Sequence, residues 1–195
     1  MIPVKMFPEP VDFDAKVRRK GLGFLALTPS PTQGQWHRKS FWREIIPEMR
    51  ILYGGICNFC GVWIPYHTGS QSIDHFLNKN VNPNLAYEWT NFRYVSSRFN
   101  SRKQVSEIID PFTVTNQDFL IRPDNFKVYP GKKLSILREA LVDTTITKIL
   151  NLNSRELIAE RFSFYQKYLR YNREILYLEE IAPFLAREVK KWEGR

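Results

Sequence analysis

One stretch near the middle of the chain alternates short β-prone segments with polar turns, and this order restricts what the region can fold into. Residues 71–76 and 92–95 contain the β-branched and aromatic side chains that are typical of strands. Residues 78–84 between them are polar and include a proline, which predicts a loop. Residues 96–97 are serines that can cap a helix running through Lys103. The sequence therefore predicts strand, loop, strand and helix in that order.

The chain before this stretch divides into two parts. Residues 1–35 contain five prolines and are predicted to be irregular. Residues 35–53 carry apolar side chains at helical spacing, which predicts one helix. Gly54 and Gly55 follow it and are typical of a helix end.

The chain after the same stretch is predicted to be mostly helical. Loop and short strand segments come first, and a helix is expected over residues 133–150. A second helix is expected to begin at Asn153 or Ser154, where either side chain can act as a cap. Pro183 is expected to break that second helical run, because proline has no N–H to donate.

The charge of the chain indicates a class of partner. The sequence has 195 residues, with 29 Lys and Arg against 20 Asp and Glu, and so a formal charge of +9. Such a balance favours a polyanion, nucleic acid first and an acidic protein or membrane surface second. No apolar run approaches the roughly 18 residues of a membrane span, and residues 1–10 lack the apolar core of a secretory signal. We therefore expect a cytoplasmic protein without a membrane partner.

Four polar side chains in the strand–loop–strand–helix stretch suggest hydrolytic chemistry. Asp74 and His75 end the first strand, Asn91 precedes the second, and Asn100 lies on the helix. A carboxylate and a carboxamide oxygen are hard ligands that suit Mg²⁺ or Mn²⁺. A neighbouring imidazole can accept a proton from water. A cation, a base and nearby positive side chains together meet the needs of phosphodiester hydrolysis.

At these residues the sequence resembles the HNH, or ββα-metal, endonuclease family. The segments that carry the resemblance are Ser72-Ile-Asp-His-Phe-Leu-Asn-Lys, Pro83-Asn-Leu-Ala-Tyr-Glu-Trp-Thr-Asn-Phe-Arg and Arg98-Phe-Asn-Ser-Arg-Lys. The resemblance implies an α+β fold with a small ββα-metal core over residues 56–112. An N-terminal extension with a lead-in helix (1–55) and a mostly helical C-terminal region (113–195) would flank that core.

The resemblance also implies a role for each polar residue. Asp74 and Asn100 would hold the divalent cation, and His75 would be the general base. Asn91 would brace the loop and orient the base, so the implied catalytic set is Asp74, His75, Asn91 and Asn100. The substrate would be DNA, cut to leave 5′-phosphate and 3′-hydroxyl ends. The positive side chains expected to contact it are Arg93, Arg98, Arg102 and Lys103.

The chain departs from the family at the zinc ribbon that surrounds this core in many members. Cys57 and Cys60 supply one Cys-x-x-Cys pair, but Ser96 and Phe99 stand where the second pair is expected. A tetrahedral structural zinc needs four ligands, and two thiolates alone do not hold it tightly. We therefore expect the structural zinc to be absent, with a residual knuckle at the two cysteines.

The sequence also suggests a protein partner and allows an alternative function. The order of a short HNH core and a helical tail is similar to the HNH subunits of Septu-type and retron-linked anti-phage systems, in which the partner is an ATPase. That similarity implies a nuclease effector controlled by a partner protein. The alternative is a nucleic-acid-binding or assembly subunit that keeps the HNH fold without turnover.

Overall fold

The computed structural model describes residues 1–172 and 174–194 of an α+β protein. Two compact units are present. Unit 1 contains Met1–Lys5, Ile56–Trp63 and the chain from Ser106 onward, and unit 2 contains Met6–Gly55 and Ile64–Val105. Each unit includes one small antiparallel sheet. The three-part division at residues 55/56 and 112/113 stays a prediction.

Unit 2 begins with a helix that the sequence analysis did not predict. A π-helical turn, Asp14–Arg18, leads directly into α1 (Arg19–Leu27). The expectation that residues 1–35 are irregular is therefore wrong over this segment.

Side-chain spacing explains the helix. Phe13, Val17, Gly21 and Leu25 recur every fourth residue, and all four are buried, so they form one face that packs inward. Gly21 is required there because a Cβ at this position would lie 2.0 Å from Cγ of Tyr87. The five prolines lie before and after the helix, where they do not interrupt it.

The single helix predicted over residues 35–53 is instead three elements. They are α2 (Gln33–Arg38), a 3₁₀ segment (Phe41–Ile45) and α3 (Ile46–Leu52). Pro47 lies in the first turn of α3, the position where a missing N–H costs least, because the first N–H groups of a helix have no partner within it.

The end of α3 agrees with the sequence analysis. Gly54 and Gly55 adopt φ values of +58° and +71°, in the left-handed region that glycine occupies without strain. The predicted helix stop at these two glycines is confirmed.

The predicted strand–loop–strand–helix order is confirmed in unit 2. Strands β1 (Gln71–His75) and β2 (Phe92–Ser96) pair antiparallel. The register places Asp74 opposite Arg93. Helix α4 (Ser97–Lys103) follows β2 without a break and packs on both strands.

Unit 1 contains the second sheet and the C-terminal helices. Its elements are β3 (Phe119–Ile121), β4 (Val128–Pro130), α5 (Ile136–Thr144), a π-helical turn (Thr145–Ile149), α6 (Arg155–Arg170), α7 (Ile175–Ile181) and α8 (Pro183–Trp192). The helix expected over 133–150 and the helix start expected at residue 153 or 154 are confirmed. The expectation that this second run continues to Pro183 is wrong, because α6 ends at Arg170 and α7 begins at Ile175. The break at Pro183 is confirmed too, since this residue begins α8. Across the described part of the chain, none of the helices has the length and apolar character needed to cross a membrane.

Candidate functional site

Strand β1 ends in two ionisable residues that are both buried. Asp74 is 2% exposed and His75 is 7% exposed, although adjacent strand residues point to opposite faces. Both faces of this strand end are therefore covered. A buried carboxylate next to a buried imidazole is costly unless neighbouring groups satisfy both.

The imidazole of His75 is held by one hydrogen bond and two aromatic rings. Its Nε2 lies 2.9 Å from the carbonyl oxygen of Ala86. The rings of Trp42 and Phe92 contact it edge to face, with centroids at 4.6 and 5.3 Å. A carbonyl only accepts, so Nε2 carries the proton and Nδ1 is the nitrogen with a free lone pair.

The charge state of this imidazole follows from its surroundings. Burial, with the nearby charge of Lys79, lowers the pKa of His75 to about 3. The ring is therefore neutral at neutral pH and its Nδ1 is unprotonated, while the same burial makes it a weaker proton acceptor than a free imidazole.

The carboxylate of Asp74 is less well satisfied. Lys103 Nζ lies 3.2 Å from Asp74 Oδ2, yet among the described residues no donor is in hydrogen-bond geometry with that oxygen. Burial raises the pKa of Asp74, and Lys103, through its charge and its close contact, together with the charges of Arg93 and Lys79, opposes this rise only in part. A buried carboxylate whose one close partner is an ion-paired lysine can still act as a ligand for a cation.

Asn91 fastens the loop between the two strands. Its Oδ1 accepts from the Leu77 N–H at 2.7 Å, and its Nδ2 donates to the carbonyls of Leu77 and Leu85, both at 3.0 Å. Leu85 immediately precedes Ala86, the residue that holds the His75 ring. Asn91 therefore fixes the part of the backbone that orients the imidazole.

Asn100 reaches back from α4 to β1. Its Nδ2 donates to Ser72 Oγ at 2.8 Å and to the carbonyl of Ile73 at 3.1 Å. These two bonds identify the nitrogen of the amide and leave Oδ1 as the atom available to a ligand. Since Ile73 directly precedes Asp74, the amide of Asn100 is anchored beside the carboxylate.

The four positive side chains expected at the substrate separate into two groups. Arg98 is exposed and Arg102 is partly exposed on α4, as a phosphate contact requires. Arg93 is only 3% exposed and donates to the carbonyls of Thr90 and Phe92 at 2.8 and 3.0 Å.

Lys103 is the most deeply buried of the four, at 1% exposed. Besides its ion pair with Asp74, its Nζ donates to the carbonyl of Phe76 at 2.9 Å and to that of His75 at 3.3 Å. In this structure Lys103 is a brace beneath the end of β1, and its ammonium group is not presented to a substrate.

A polar pocket of about 550 Å³, here called the central pocket, brings the candidate residues together. Asp74, His75 and Asn100 all line it, and Arg43 and Lys79 lie in the same wall. Sequence reasoning missed the last two. A signal was available, because Lys79 follows His75 by four residues and Arg43 ends the basic and aromatic stretch of residues 37–43.

The two cysteines belong to unit 1. Cys57 is buried and Cys60 is partly buried, and neither forms a disulfide. Burial and the neighbouring Cys57 raise the pKa of the Cys60 thiol well above its ordinary value. Within residues 1–172 and 174–194 no group of three or more His, Cys, Asp or Glu side chains is placed to hold a metal. The absence of structural zinc stays a prediction.

Comparisons with known proteins add no family assignment. Neither the protein-family models nor the curated proteins match this chain.

Proposed function

We propose that this chain is a metal-dependent HNH endonuclease that hydrolyses DNA phosphodiester bonds. The observation that carries the proposal is the convergence of Asp74, His75 and Asn100, from a strand and a helix, on one polar pocket. Binding alone needs neither a neutral buried imidazole nor a carboxylate without a hydrogen-bond donor. Hydrolysis of a phosphodiester needs both a base and a place for a cation.

The residues present fit a divalent cation. Asp74 Oδ2 makes an ion pair with Lys103 but is in hydrogen-bond geometry with no donor among the described residues, and the hydrogen bonds of Asn100 use its Nδ2 and leave Oδ1 available. One carboxylate and one neutral oxygen match the sparse protein ligand set of Mg²⁺, which keeps several waters. When bound there, Mg²⁺ or Mn²⁺ would neutralise charge on the scissile phosphate and the leaving 3′ oxygen.

The chain's own groups account for the proton transfer. His75 Nδ1 accepts a proton from the attacking water, while the Nε2 hydrogen bond to Ala86 holds the ring in the required tautomer. Asn91 keeps Ala86 in place through Leu85. Lys103 ties down the carbonyls of His75 and Phe76, so the base and the carboxylate sit on a fixed strand end.

The exposed positive side chains act on the substrate backbone. Arg98 and Arg102 on α4, with Arg43 and Lys79 in the pocket wall, supply the charge that a phosphate backbone needs. Binding of this kind falls steeply as salt rises.

The proposal includes control by a protein partner, as in the defence systems that the chain resembles. Several large apolar side chains of unit 1 are exposed, above all Ile136 and Leu137 at 86% and 85%. Such residues support a protein contact. Plasmid cleavage measured with and without the product of the neighbouring gene tests this part.

The experiment that tests the activity is cleavage of supercoiled plasmid with Mg²⁺, with Mn²⁺ and with EDTA. We expect cleavage only with a divalent cation, and a rate loss of about 10²–10⁴ for His75→Ala, as for removal of a general base. His67→Ala is the matched control, because His67 is exposed and lies outside the central pocket. Metal-independent cutting, or full activity of His75→Ala, refutes the mechanism. DNA binding without cutting supports the non-catalytic alternative.

A further inference from the structure

A second recess adjoins the central pocket within unit 2. It measures about 710 Å³ and is here called the flanking pocket. The two pockets share five wall residues, namely Trp42, Arg43, Asn78, Lys79 and Gln104. Because they share these walls, a chain bound across the central pocket has a direct path into the flanking one.

Positive charge marks the junction of the two pockets. Arg43 is exposed, and Lys79 Nζ lies 5.6 Å from the centre of the Trp42 ring. Among the described residues no carboxylate pairs with either side chain, and the flanking pocket has no acidic side chain in its wall. Lys79 is near enough to Asp74 to feel its charge without forming an ion pair, and two cations that lack an ion-pair partner are suited to a phosphate that links the groups on either side.

The wall beyond the junction carries groups that can read a base. The amides of Gln33, Asn80 and Gln104 are exposed at the pocket, and each offers both a donor and an acceptor. The Trp36 ring also lines the wall, although its N–H is buried and has no acceptor among the described residues. Polar edges around an aromatic wall are typical of pockets that take a nucleobase out of its stack.

Backbone strain is found at the same place. Gln104 has φ of +48° and ψ of −115°, a conformation that costs a non-glycine residue of order 1–3 kcal/mol. Asn78 Nδ2, at 3.4 Å from the Gln104 carbonyl, helps to hold it there. Strain of this kind concentrates at binding sites, and here it sets the Gln104 side chain where both pockets meet.

We propose that the flanking pocket holds one unpaired nucleotide of the DNA strand, next to the phosphate that is cut in the central pocket. Its volume falls in the range of about 300–1,000 Å³ that encloses a small-molecule-sized group, whereas a stacked base pair stays within its duplex. The substrate class is therefore single-stranded or locally unpaired DNA. This inference rests on the proposed function, because the central pocket supplies the scissile phosphate.

The first test measures cleavage. The cut position is mapped on a labelled single-stranded oligonucleotide, and an abasic nucleotide is then moved along the strand. We expect cleavage of single-stranded and bubble DNA to exceed that of duplex by about tenfold, and an abasic nucleotide beside the cut to remove most of this gain. Equal rates on single-stranded and duplex DNA, or no effect of the abasic position, overturn the inference while the nuclease proposal stands.

The second test measures binding in EDTA, so that it does not depend on catalysis. Fluorescence anisotropy compares the affinity of the full chain for single-stranded and duplex oligonucleotides. The double variant Gln33→Ala/Asn80→Ala should lose the single-strand preference by about tenfold. Gln117→Ala is the matched control, because Gln117 is exposed and belongs to unit 1.

Gln104 provides a variant in which stability and binding are expected to change in opposite directions. Gln104→Gly removes the side chain and relieves the strained φ, so its thermal midpoint should rise while single-strand affinity falls. Gln104→Ala should lose the same affinity without the gain in stability. Unchanged single-strand affinity in the Gln104 variants and in the double variant overturns the inference, even if the plasmid assay shows no cleavage.

Discussion

Two buried aspartates, one in each unit, have opposite electrostatic environments. Asp118 in unit 1 accepts from Arg138 Nε at 2.5 Å, from Arg138 Nη2 at 2.7 Å and from the Thr115 N–H at 2.5 Å. Asp74 in unit 2 has a lysine at 3.2 Å but an oxygen without a hydrogen bond from the described residues.

The pKa shifts of the two carboxyls report this difference. Burial raises the pKa of both, but at Asp118 the hydrogen bonds from Arg138 and Thr115 prevail and lower it overall. At Asp74 burial prevails. The difference is what the proposed function predicts, because a carboxylate that is to bind a cation keeps capacity that a fully hydrogen-bonded one lacks.

The largest expected effect is on cleavage. Asp74→Asn should reduce the plasmid nicking rate about 10³-fold, because a neutral amide holds a divalent cation much more weakly. Asp118→Asn should cut at the wild-type rate. Initial rates at one fixed Mg²⁺ concentration that does not saturate the wild type measure both variants. Equal losses in the two would mean that Asp74 has no special role in the reaction.

The next largest effect is on the free energy of unfolding, and here the Asp118 variant should lose more than the Asp74 double variant. Asp118→Asn should lower the free energy of unfolding by about 1–3 kcal/mol, since an amide cannot accept from the Arg138 fork as a carboxylate does. The double variant Asp74→Asn/Lys103→Met should cost less, because it removes both members of a buried ion pair, whereas Asp74→Asn alone would leave the Lys103 ammonium buried without its partner. Urea denaturation in EDTA gives both values, and a larger loss in the double variant than in Asp118→Asn would contradict the comparison.

The sequence predicts the two strands and the helix of the candidate site, but it does not predict the first helix of unit 2. The alternation of β-prone and polar segments is local, so β1, β2 and α4 follow from it. The helix through Gly21 was missed because the five prolines on either side outweighed its four-residue spacing, and because the packing that makes a glycine suitable there comes from Tyr87, a residue far along the chain.

The candidate site shows the same limit. Residue types and spacings predict that Asp74, His75 and Asn100 share a site. They do not show that Arg93 and Lys103 turn inward to backbone carbonyls. The residue type alone does not tell a buried arginine or lysine from an exposed one. The contribution of Arg43 was missed for a related reason, since it lies on a 3₁₀ segment well before the motif.

Metal binding distinguishes the two carboxylates without any cleavage assay. At a Mg²⁺ concentration ten times the dissociation constant, the folded state should gain about 1.4 kcal/mol. We expect the gain, measured as a rise in the thermal midpoint, in the wild type and in Asp118→Asn. It should be absent in Asp74→Asn and reduced in Asn100→Ala. An equal rise in all four chains would show that Mg²⁺ binds elsewhere.

The smallest effect is the pH dependence of stability, and the two carboxyls should give it opposite signs. A lowered pKa in the folded state means that Asp118 stabilises the fold above its ordinary value of 3.8 and that this contribution is lost as pH falls. A raised pKa means that Asp74 destabilises the fold as pH rises above 3.8, because the buried group must then lose its proton. In EDTA, Asp74→Asn should therefore become more stable relative to the wild type as pH rises above 3.8, while Asp118→Asn should lose its disadvantage relative to the wild type as pH falls below 3.8. Urea titrations across this range measure both trends. If the stability of both variants changed with pH in the same direction, the two carboxyls would have similar environments. Asp74 would then be no better suited to a cation than Asp118.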